Sequence, residues 1–298
     1  MAQTGRFAGP LLDLYRSLKR ASTDDLRGRE VSDSLCDLVT ACLEFLNASC
    51  AIVKLNSRVT DKTYVSYTGK EDRSLLSRPI NREFFERDSR VVRRNWQAWN
   101  EGRRLSDAET RRLTYTMAMA YFVAVEFFDR NNKKAPATYF ECLIGHLFAK
   151  ALGVNPTKKV TLNAGGTRVR LTMDFLFDLG KQRSKVHLPV KTSTRERVVQ
   201  AWAHQRLLDA AFGRGTYKGI LVVFSETKLD LQTREVVEIC VPDQWLAYQM
   251  LLAHMERIYY FDTPRRYADL AAANDNIDLK QFTESFREIE AVLNNPQT

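Results

Sequence analysis

The chain has 298 residues, enough for one large domain or two modest ones, and its 44% apolar and 27% charged contents are those of an ordinary globular protein. Its 45 Lys and Arg residues outnumber its 36 Asp and Glu residues and give a formal net charge of +9, which favours polyanionic partners modestly. No apolar stretch reaches the roughly 18 residues of a membrane-spanning helix, and the N-terminus is amphipathic, so composition argues against a membrane protein and a signal peptide.

The first half of the chain is expected to be mainly helical. Residues 31–55 place apolar side chains at helical spacing, which predicts one helix over that range. Residues 56–75 are polar, with a glycine and several charges, as in a loop or a weak hairpin. Ser106 and Glu109 have the spacing of a capping box, so a largely buried helix should begin there and continue to residue 128.

Arginine is concentrated between residues 82 and 104, where Arg93, Arg94, Arg103 and Arg104 form two adjacent pairs. A solvated helix face explains such a run without any partner. A contact with the DNA backbone also explains this run, because guanidinium groups bind phosphate oxygens. Both interpretations stay open, and Arg93 and Arg94 are the candidate backbone contacts.

The cysteines number five, which is odd, and they form no CxxC pair. Most stand in apolar surroundings. These features predict buried free thiols in a reducing cytoplasm, rather than disulfides or a zinc site. The residues are Cys36, Cys42, Cys50, Cys142 and Cys240.

The second half alternates between helical and strand-like segments. Strands are expected over residues 159–180, 184–191, 218–229 and 235–242, the first of these folding back as a hairpin at Gly165 and Gly166. Helices are expected over residues 135–153, 195–213 and 243–261, the second ending at Gly213 and the third capped by Asp243. This order predicts a mixed α/β fold in which helices flank a mixed sheet.

Two regions follow from this pattern. Residues 1–135 should form a mainly helical region that contacts DNA or mediates dimerisation, and residues 136–298 an α/β core with C-terminal helices. No Pro/Gly/Ser-rich linker separates them, so a single shared core remains an alternative.

Three residues in the second half carry side chains suited to phosphodiester chemistry. Asp174 lies inside an apolar strand, Lys191 ends the next strand, and Glu141 lies on the preceding helix. A carboxylate and a lysine on adjacent antiparallel strands can meet across a hairpin. Carboxylates hold Mg²⁺, which polarises a phosphodiester and acidifies a water, while a lysine orients that water or stabilises the developing charge.

A helix Glu, a strand Asp and then apolar-x-Lys resemble the PD-(D/E)XK nuclease fold. More specifically, the run KTSTRER (191–197) resembles type II restriction endonucleases that cut CCGG or interrupted CC…GG sites. In those enzymes a run such as Arg-Glu-Arg follows the catalytic lysine and reads G and C bases. The resemblance covers residues 136–245 and implies Mg²⁺-dependent cleavage of duplex DNA, usually by a homodimer, with a higher oligomer as the alternative.

The chemistry of the run supports base reading independently. Arg is the preferred bidentate partner of guanine O6 and N7, and Glu accepts from cytosine N4. Arg195, Glu196 and Arg197 can therefore read adjacent G·C pairs from the major groove. Thr192 and Ser193, which lie between Lys191 and this run, are weaker candidates for contacts with the DNA backbone.

The resemblance is imperfect at the second carboxylate. Pro189 stands where an acid usually precedes the lysine by two residues. The group cutting CC/GG sites often moves that carboxylate to the next helix, about thirteen or fourteen residues after the lysine, where this chain has His204 and Gln205. Asp178 is a further candidate. The resemblance also implies that the backbone carbonyl of Val190 binds the metal.

Each site residue has a plainer explanation as well. Glu141 follows Thr138 by three residues and could merely cap a helix, and Glu196 follows Ser193 in the same way. Lys191 could be a structural ion-pair partner for Asp174. The leading hypothesis is nevertheless a cytoplasmic type II restriction endonuclease, part of a restriction–modification system. The alternatives are a repair or defence nuclease of other specificity, and a DNA-binding protein of the same fold without cleavage activity.

Overall fold

The computed structural model describes residues 2–180, 183–194, 198–230 and 232–294, with the backbone alone for residues 2–7, 290 and 294. The chain forms two compact units. The first comprises Met1–His146 with Thr227–Glu238, and the second comprises Leu147–Glu226 with Ile239–Thr298. The first unit therefore ends inside a helix rather than at residue 135, and it includes a short segment from the second half of the sequence.

The described residues form the following elements, in chain order. The helices are α1 (Ala2–Asp24), α2 (Arg29–Ser49), α3 (Ser89–Asn100), α4 (Asp107–Phe128), α5 (Lys134–Leu152), α6 (Val199–Phe212), α7 (Pro242–Ala247), α8 (Arg265–Ala272) and α9 (Ser285–Asn294). The strands are β1 (Cys50–Lys54), β2 (Asn56–Ser57), β3 (Tyr64–Gly69), β4 (Ile80–Asn81), β5 (Thr157–Ala164), β6 (Thr167–Phe177), β7 (Lys185–Leu188), β8 (Val190–Lys191), β9 (Tyr217–Ser225), β10 (Thr227–Leu229), β11 (Glu235–Glu238), β12 (Arg257–Asp262) and β13 (Leu279–Gln281). A π-helical turn (Tyr248–Leu252) continues α7, and a 3₁₀ turn (Phe282–Glu284) precedes α9.

The first unit packs helices around α4, whose side chains are buried from Leu113 to Val125. The capping box is confirmed, because the Ser106 hydroxyl accepts from Glu109 N at 3.3 Å and the Glu109 carboxylate accepts from Ser106 N at 2.9 Å. The expected helix over residues 31–55 is too long. It ends at Ser49, because residues 50–54 pair antiparallel with β3.

Two small sheets complete the first unit. Strands β1, β3 and β4 form an antiparallel sheet, and β10, β11 and β2 form the other. The segment expected to be a loop or a weak hairpin, residues 56–75, thus contributes strands to both sheets.

The second unit is built on a larger mixed sheet with strand order β13-β12-β9-β7-β6-β5, in which β8 continues β7 alongside β9. Strands β7, β8, β9, β12 and β13 run parallel, and β6 runs antiparallel to both of its neighbours, β5 and β7. A cluster of aromatic side chains fills the space between the sheet and helices α6, α7 and α8. Trp245 stacks on Tyr267 there, with ring centroids 4.2 Å apart. The mixed α/β fold class is confirmed.

The expected helix over residues 243–261 is wrong in its second half. The helix begins at Pro242, so Asp243 lies in the first turn and is not the cap, and residues 257–262 form strand β12. Residues 258–261 are all buried, as in a strand between parallel neighbours, and such continuous apolar runs cannot be told from a buried helix by periodicity.

All five cysteines are buried, as expected, and none of them forms a disulfide with another described residue. Among the described residues, no helix is long and apolar enough to cross a membrane.

Candidate active site

Asp174 on strand β6 and Lys191 on strand β8 form an ion pair. The Asp174 Oδ2 atom accepts a hydrogen bond from Lys191 Nζ at 2.8 Å and another from Val190 N at 2.9 Å. The Asp174 side chain is 24% exposed and that of Lys191 is 18% exposed, so both are reachable from solvent. Within the part of the chain that the structure describes, no donor contacts Asp174 Oδ1, which leaves one carboxylate oxygen for a ligand.

The carbonyl of Val190 faces the same side as Asp174. Along a strand, the N–H and C=O groups of successive residues point to opposite sides. The Pro189 carbonyl points toward β9, because it accepts a hydrogen bond from Val222 N at 3.0 Å. Val190 N points the other way, toward Asp174. Because the N–H and C=O of one strand residue share a direction, the Val190 carbonyl also points away from β9. The carbonyl oxygen that was expected from the sequence to bind a metal therefore points to the side on which the Asp174 carboxylate lies.

A register shift between β5 and β6 lies at Asp174. Thr172 pairs with Lys159 and Leu176 pairs with Thr157. An advance of four residues along β6 therefore lies opposite an advance of only two residues along β5. Irregularities of this kind bend a strand and re-aim its side chains, and they are common beside active sites. The shift explains how a carboxylate within an apolar strand becomes accessible.

Helix α6 carries His204 and Gln205 beside this part of the sheet, and strand β7 contributes His187. His187 on β7 donates from Nδ1 to Gln205 Oε1 at 3.0 Å, and its ring lies 6.2 Å from the His204 ring between centroids. The Gln205 amide nitrogen donates to Asp209 Oδ1 and to Tyr217 O, both at 2.8 Å. Gln205 is therefore engaged at both ends of its amide and buried, which argues against it as a metal ligand.

The pKa values of the two histidines are shifted by their surroundings. Burial lowers the pKa of His187 to about 4, so its ring is neutral at pH 7. Burial also lowers the pKa of His204, the Asp174 carboxylate raises it, and the Lys191 ammonium lowers it. His204 is half-buried, and its neighbourhood to Asp174 and Lys191 makes it the better candidate of the two positions on α6.

The oxygen atoms at this site fit a hard cation that is held by few protein ligands. Mg²⁺ prefers oxygen ligands and usually keeps several waters while one or two carboxylates hold it. Asp174 Oδ1 and the Val190 carbonyl offer such oxygens, and His204 stands where a second acid is expected. Among the described residues, no group of three or more His, Cys, Asp or Glu side chains is arranged to bind a metal. A Mg²⁺ ion bound here would therefore have few protein ligands.

Comparison with solved structures identifies the fold. The Type IIP restriction endonuclease Kpn2I superimposes with a TM-score of 0.78 over 94% of this chain and 96% of that chain, at 22% sequence identity. The chain has the fold of a type II restriction endonuclease. The restriction endonuclease PspGI, solved in complex with its substrate DNA, is similar with a TM-score of 0.47 over 69% of this chain and 92% of that chain, at 15% identity. No family model and no curated protein matches the sequence.

Other candidate residues lie elsewhere in this fold. Asp178 pairs with Lys185 at 2.5 Å near the turn between β6 and β7, and it is largely exposed. Glu141 is a half-buried residue of α5 and belongs to the first unit, so its role as a metal ligand remains a proposal.

The two candidate backbone contacts, Arg93 and Arg94, lie on α3. Arg93 donates to Asp37 Oδ1 at 2.9 Å and to Thr40 Oγ1 at 2.8 Å, so its guanidinium is already engaged. Arg94 is exposed, with a long contact of 3.5 Å to Asn95 Oδ1. Arg94 is therefore the freer candidate of the two for a phosphate contact.

The run Arg195, Glu196 and Arg197 lies outside the described residues, so its role as a base reader stays a prediction. Thr192 and Ser193 are half-buried, and Thr194 is buried. Sequence reasoning missed Glu226, a fully buried glutamate that contacts Thr194. Its one signal in the sequence is an acid directly after the long apolar run of β9.

The β5–β6 hairpin presents a basic face on the side of the sheet opposite its buried apolar side chains. A two-residue turn at Gly165 and Gly166 joins the strands, and both glycines have positive φ (57° and 84°), as a type I′ turn requires. Lys159, Arg168 and Arg170 are exposed, and none has a hydrogen-bond or ion-pair partner among the described residues. The hairpin contains no Asp or Glu between residues 157 and 173.

Proposed function

We propose that the chain is a Mg²⁺-dependent type II restriction endonuclease that cleaves duplex DNA at a G·C-containing site of the CCGG or CC/GG kind. One observation carries the proposal. In a restriction-endonuclease fold, a partly exposed aspartate lies 2.8 Å from a partly exposed lysine, beside a backbone carbonyl that faces the same side. Structural ion pairs explain the contact but not the open carboxylate oxygen.

The proposed reaction is hydrolysis of a phosphodiester. A water oxygen bonds to phosphorus, one P–O ester bond breaks, and the departing sugar oxygen takes up a proton. Bound Mg²⁺ would polarise the phosphate and acidify the water. Asp174 Oδ1 and the Val190 carbonyl would hold the ion, with Glu141 as a further proposed ligand. The Lys191 ammonium, fixed by Asp174 Oδ2, orients the water and stabilises the charge that develops on the phosphate.

Specificity is assigned to the segment that follows Lys191. We call Arg195, Glu196 and Arg197 the base-reading run. In the proposal its two guanidinium groups bind guanine O6 and N7, and the carboxylate accepts from cytosine N4. Thr192 and Ser193 precede the run and are proposed to contact phosphate oxygens.

Duplex binding requires phosphate contacts outside the base-reading run as well. The face formed by Lys159, Arg168 and Arg170 is suited to them, because exposed cations without an acidic partner attract the DNA backbone. Arg168 and Arg170 are two residues apart on one strand, so their side chains project from the same face of the hairpin.

The basic face can be tested by salt dependence. The double substitution Arg168→Gln with Arg170→Gln should reduce the slope of log K against log salt by about 1.8, since each phosphate contact contributes about 0.9. The double substitution Arg16→Gln with Arg29→Gln removes the same charge from arginines already paired on their own helices. An equal change of slope in both variants would attribute the effect to net charge and not to this face.

A symmetric site cut on both strands requires two copies of the Asp174–Lys191 pair. We therefore propose that the working form is a homodimer, because a twofold axis in the protein matches one in the DNA. Light scattering during size-exclusion chromatography, with and without a duplex, measures the mass directly. A monomer that cuts both strands in one binding event would refute this part of the proposal.

The function itself is tested with plasmid DNA and Mg²⁺. Discrete fragments indicate a site-specific nuclease, and a smear indicates a nuclease of another kind, such as a repair or defence enzyme. A shift in mobility without cleavage indicates the second candidate function, a DNA-binding protein of this fold. That candidate is favoured by one observation: Pro189, buried between β7 and β8, replaces the usual second acid.

A further inference from the structure

The segment between Lys191 and the base-reading run is attached to the end of strand β9. Ser225 N donates to Thr192 O at 3.3 Å, which extends the backbone ladder beyond β8. Two residues further on, Thr194 N donates to the Glu226 Oε1 atom at 2.7 Å. A glutamate side chain thus accepts the next hydrogen bond after the ladder.

The side chain of Glu226 supplies this acceptor because its backbone carbonyl is engaged elsewhere. Glu226 O accepts from Ile239 N at 3.0 Å. Thr194 is 1% exposed and Glu226 is fully buried, so an amide left without an acceptor at this point would carry a desolvation penalty. The carboxylate removes that penalty and fixes Thr194 relative to β9.

The hydroxyl groups of two tyrosines contact Glu226 and Thr194. Tyr260 on β12 donates to Glu226 Oε1 at 2.9 Å, and the Tyr267 hydroxyl lies 3.1 Å from Thr194 Oγ1. Burial, and then the charge of Glu226, raises the pKa of Tyr260 far above its usual range, so its hydroxyl stays protonated and donates. Tyr267 is itself fixed, since its hydroxyl accepts from Val241 N at 3.0 Å.

Stability alone does not account for a carboxylate here. A buried charge costs more to desolvate than an amide that offers the same acceptor oxygen. What a carboxylate adds is a shorter and stronger hydrogen bond, and therefore a more exact position for its donor. The donor in question belongs to the residue that immediately precedes the base-reading run.

We propose that Glu226, held by Tyr260, is a positioning residue that fixes Thr194 beside strand β9 and so couples base recognition, by the residues that follow Thr194, to cleavage at Lys191. This inference rests on the proposed function. In it, Glu226 touches neither DNA nor metal. It acts through the Thr194 backbone, so its loss relaxes specificity before it abolishes chemistry.

The tyrosines of β12 provide a matched pair of variants. Tyr260→Phe removes the hydroxyl that fixes Glu226. Tyr259→Phe removes a neighbouring hydroxyl that is equally buried and also bound to a carboxylate, Glu288 at 2.7 Å, but on the opposite face of the strand. The readout is the ratio of binding or cleavage between a cognate duplex and one with a single G·C pair replaced, beside the thermal midpoint of each variant.

Tyr260→Phe should lower that ratio about tenfold, the size expected from losing one hydrogen bond to a charged group. Tyr259→Phe should leave the ratio unchanged at a similar loss of thermal stability. Equal ratios in the two variants would overturn the positioning role. Wild-type protein that neither binds nor cuts DNA would instead refute the proposed function.

A measurement without DNA separates these two failures. Hydrogen exchange at the Thr194 amide should be slow in the wild type, faster in Glu226→Ala, and intermediate in Glu226→Gln, which keeps an acceptor oxygen but not the charge. Discrimination should follow the same order in these two variants. Exchange at Thr194 that is unchanged in a folded Glu226→Ala protein would overturn the positioning role, whatever the DNA assays show.

Discussion

Replacing Asp174 with alanine separates the proposed chemistry from the fold, because a second Asp–Lys ion pair nearby, at the turn between β6 and β7, supplies a control. Asp174 accepts from Lys191 Nζ at 2.8 Å and Val190 N at 2.9 Å, whereas Asp178 pairs with Lys185 at 2.5 Å. Both substitutions remove an aspartate that pairs with a lysine across the hairpin. Only Asp174→Ala removes the proposed metal ligand.

The expected magnitudes differ between stability and rate. Asp174→Ala leaves the amide of buried Val190 without its acceptor, which should cost about 1–3 kcal/mol of folding free energy, against about 0–1 kcal/mol for the exposed Asp178. Loss of a metal ligand removes several kcal/mol from the stabilisation of the transition state, and about 4 kcal/mol corresponds to roughly a thousandfold in rate.

The assay is the initial rate of cleavage of a cognate duplex at saturating Mg²⁺, with metal-free binding measured in parallel. Asp174→Ala should bind DNA at least as well as the wild type, because a carboxylate that repels phosphate is gone, and should cut about a thousandfold more slowly. Asp178→Ala should cut within about threefold of the wild type. If the two variants cut at the same rate, the assignment of Asp174 to the metal is refuted.

Four further predictions concern the other site residues. Lys191→Arg should fail to cleave while it still binds DNA, since a planar guanidinium does not replace a compact ammonium beside a water, and full turnover would place the active site elsewhere. Glu141→Gln should abolish cleavage in a protein of unchanged thermal stability; full cleavage would separate Glu141 from the metal, and a role as a helix cap is ruled out because it lies seven residues inside α5. His204→Glu should lower the Mg²⁺ concentration needed for half-maximal metal binding, measured by calorimetry, and no change would separate this position from the metal. Arg195→Ala or Arg197→Ala should reduce discrimination at defined G·C pairs by about 1–3 kcal/mol, whereas equal weakening on cognate and scrambled duplexes would reduce the run to a backbone contact.

The contact between Asp174 and Lys191 could be anticipated from sequence because it is local. The two residues lie on strands joined by one short connection, and a carboxylate inside an apolar strand demands a partner. Strand alternation and the position of the turn are enough to bring such residues together. The register shift opposite Thr157 and Lys159 could not be read in this way, since it depends on pairing with a different strand.

The misassigned segments share a physical cause. Residues 50–54 and 257–262 each extend an apolar pattern that begins in a helix. Their backbones leave the helix because a strand distant in sequence offers a complete set of hydrogen bonds, β3 for the first and β9 for the second. Local periodicity carries no information about that partner, so tertiary pairing overrides it.

The Glu226 junction lies furthest from what a sequence can reveal. Thr194 and Glu226 are 32 residues apart, and they meet because β8 and β9 are parallel neighbours in one register. The tyrosine that completes the junction comes from β12, on the other side of β9. The motif predicts a base-reading run after Thr194, but the contact between Thr194 and Glu226 is seen only in the assembled sheet.

Sequencing of the DNA ends produced with Mg²⁺ tests the central claim most directly. Purified protein is incubated with a DNA of high sequence diversity, the products are sequenced from their new termini, and the Asp174→Ala protein serves as the blank. The termini should map to one short G·C-containing sequence of twofold symmetry, and they should disappear in the blank. Termini spread over unrelated sequences, or equally abundant in the blank, would contradict the central claim.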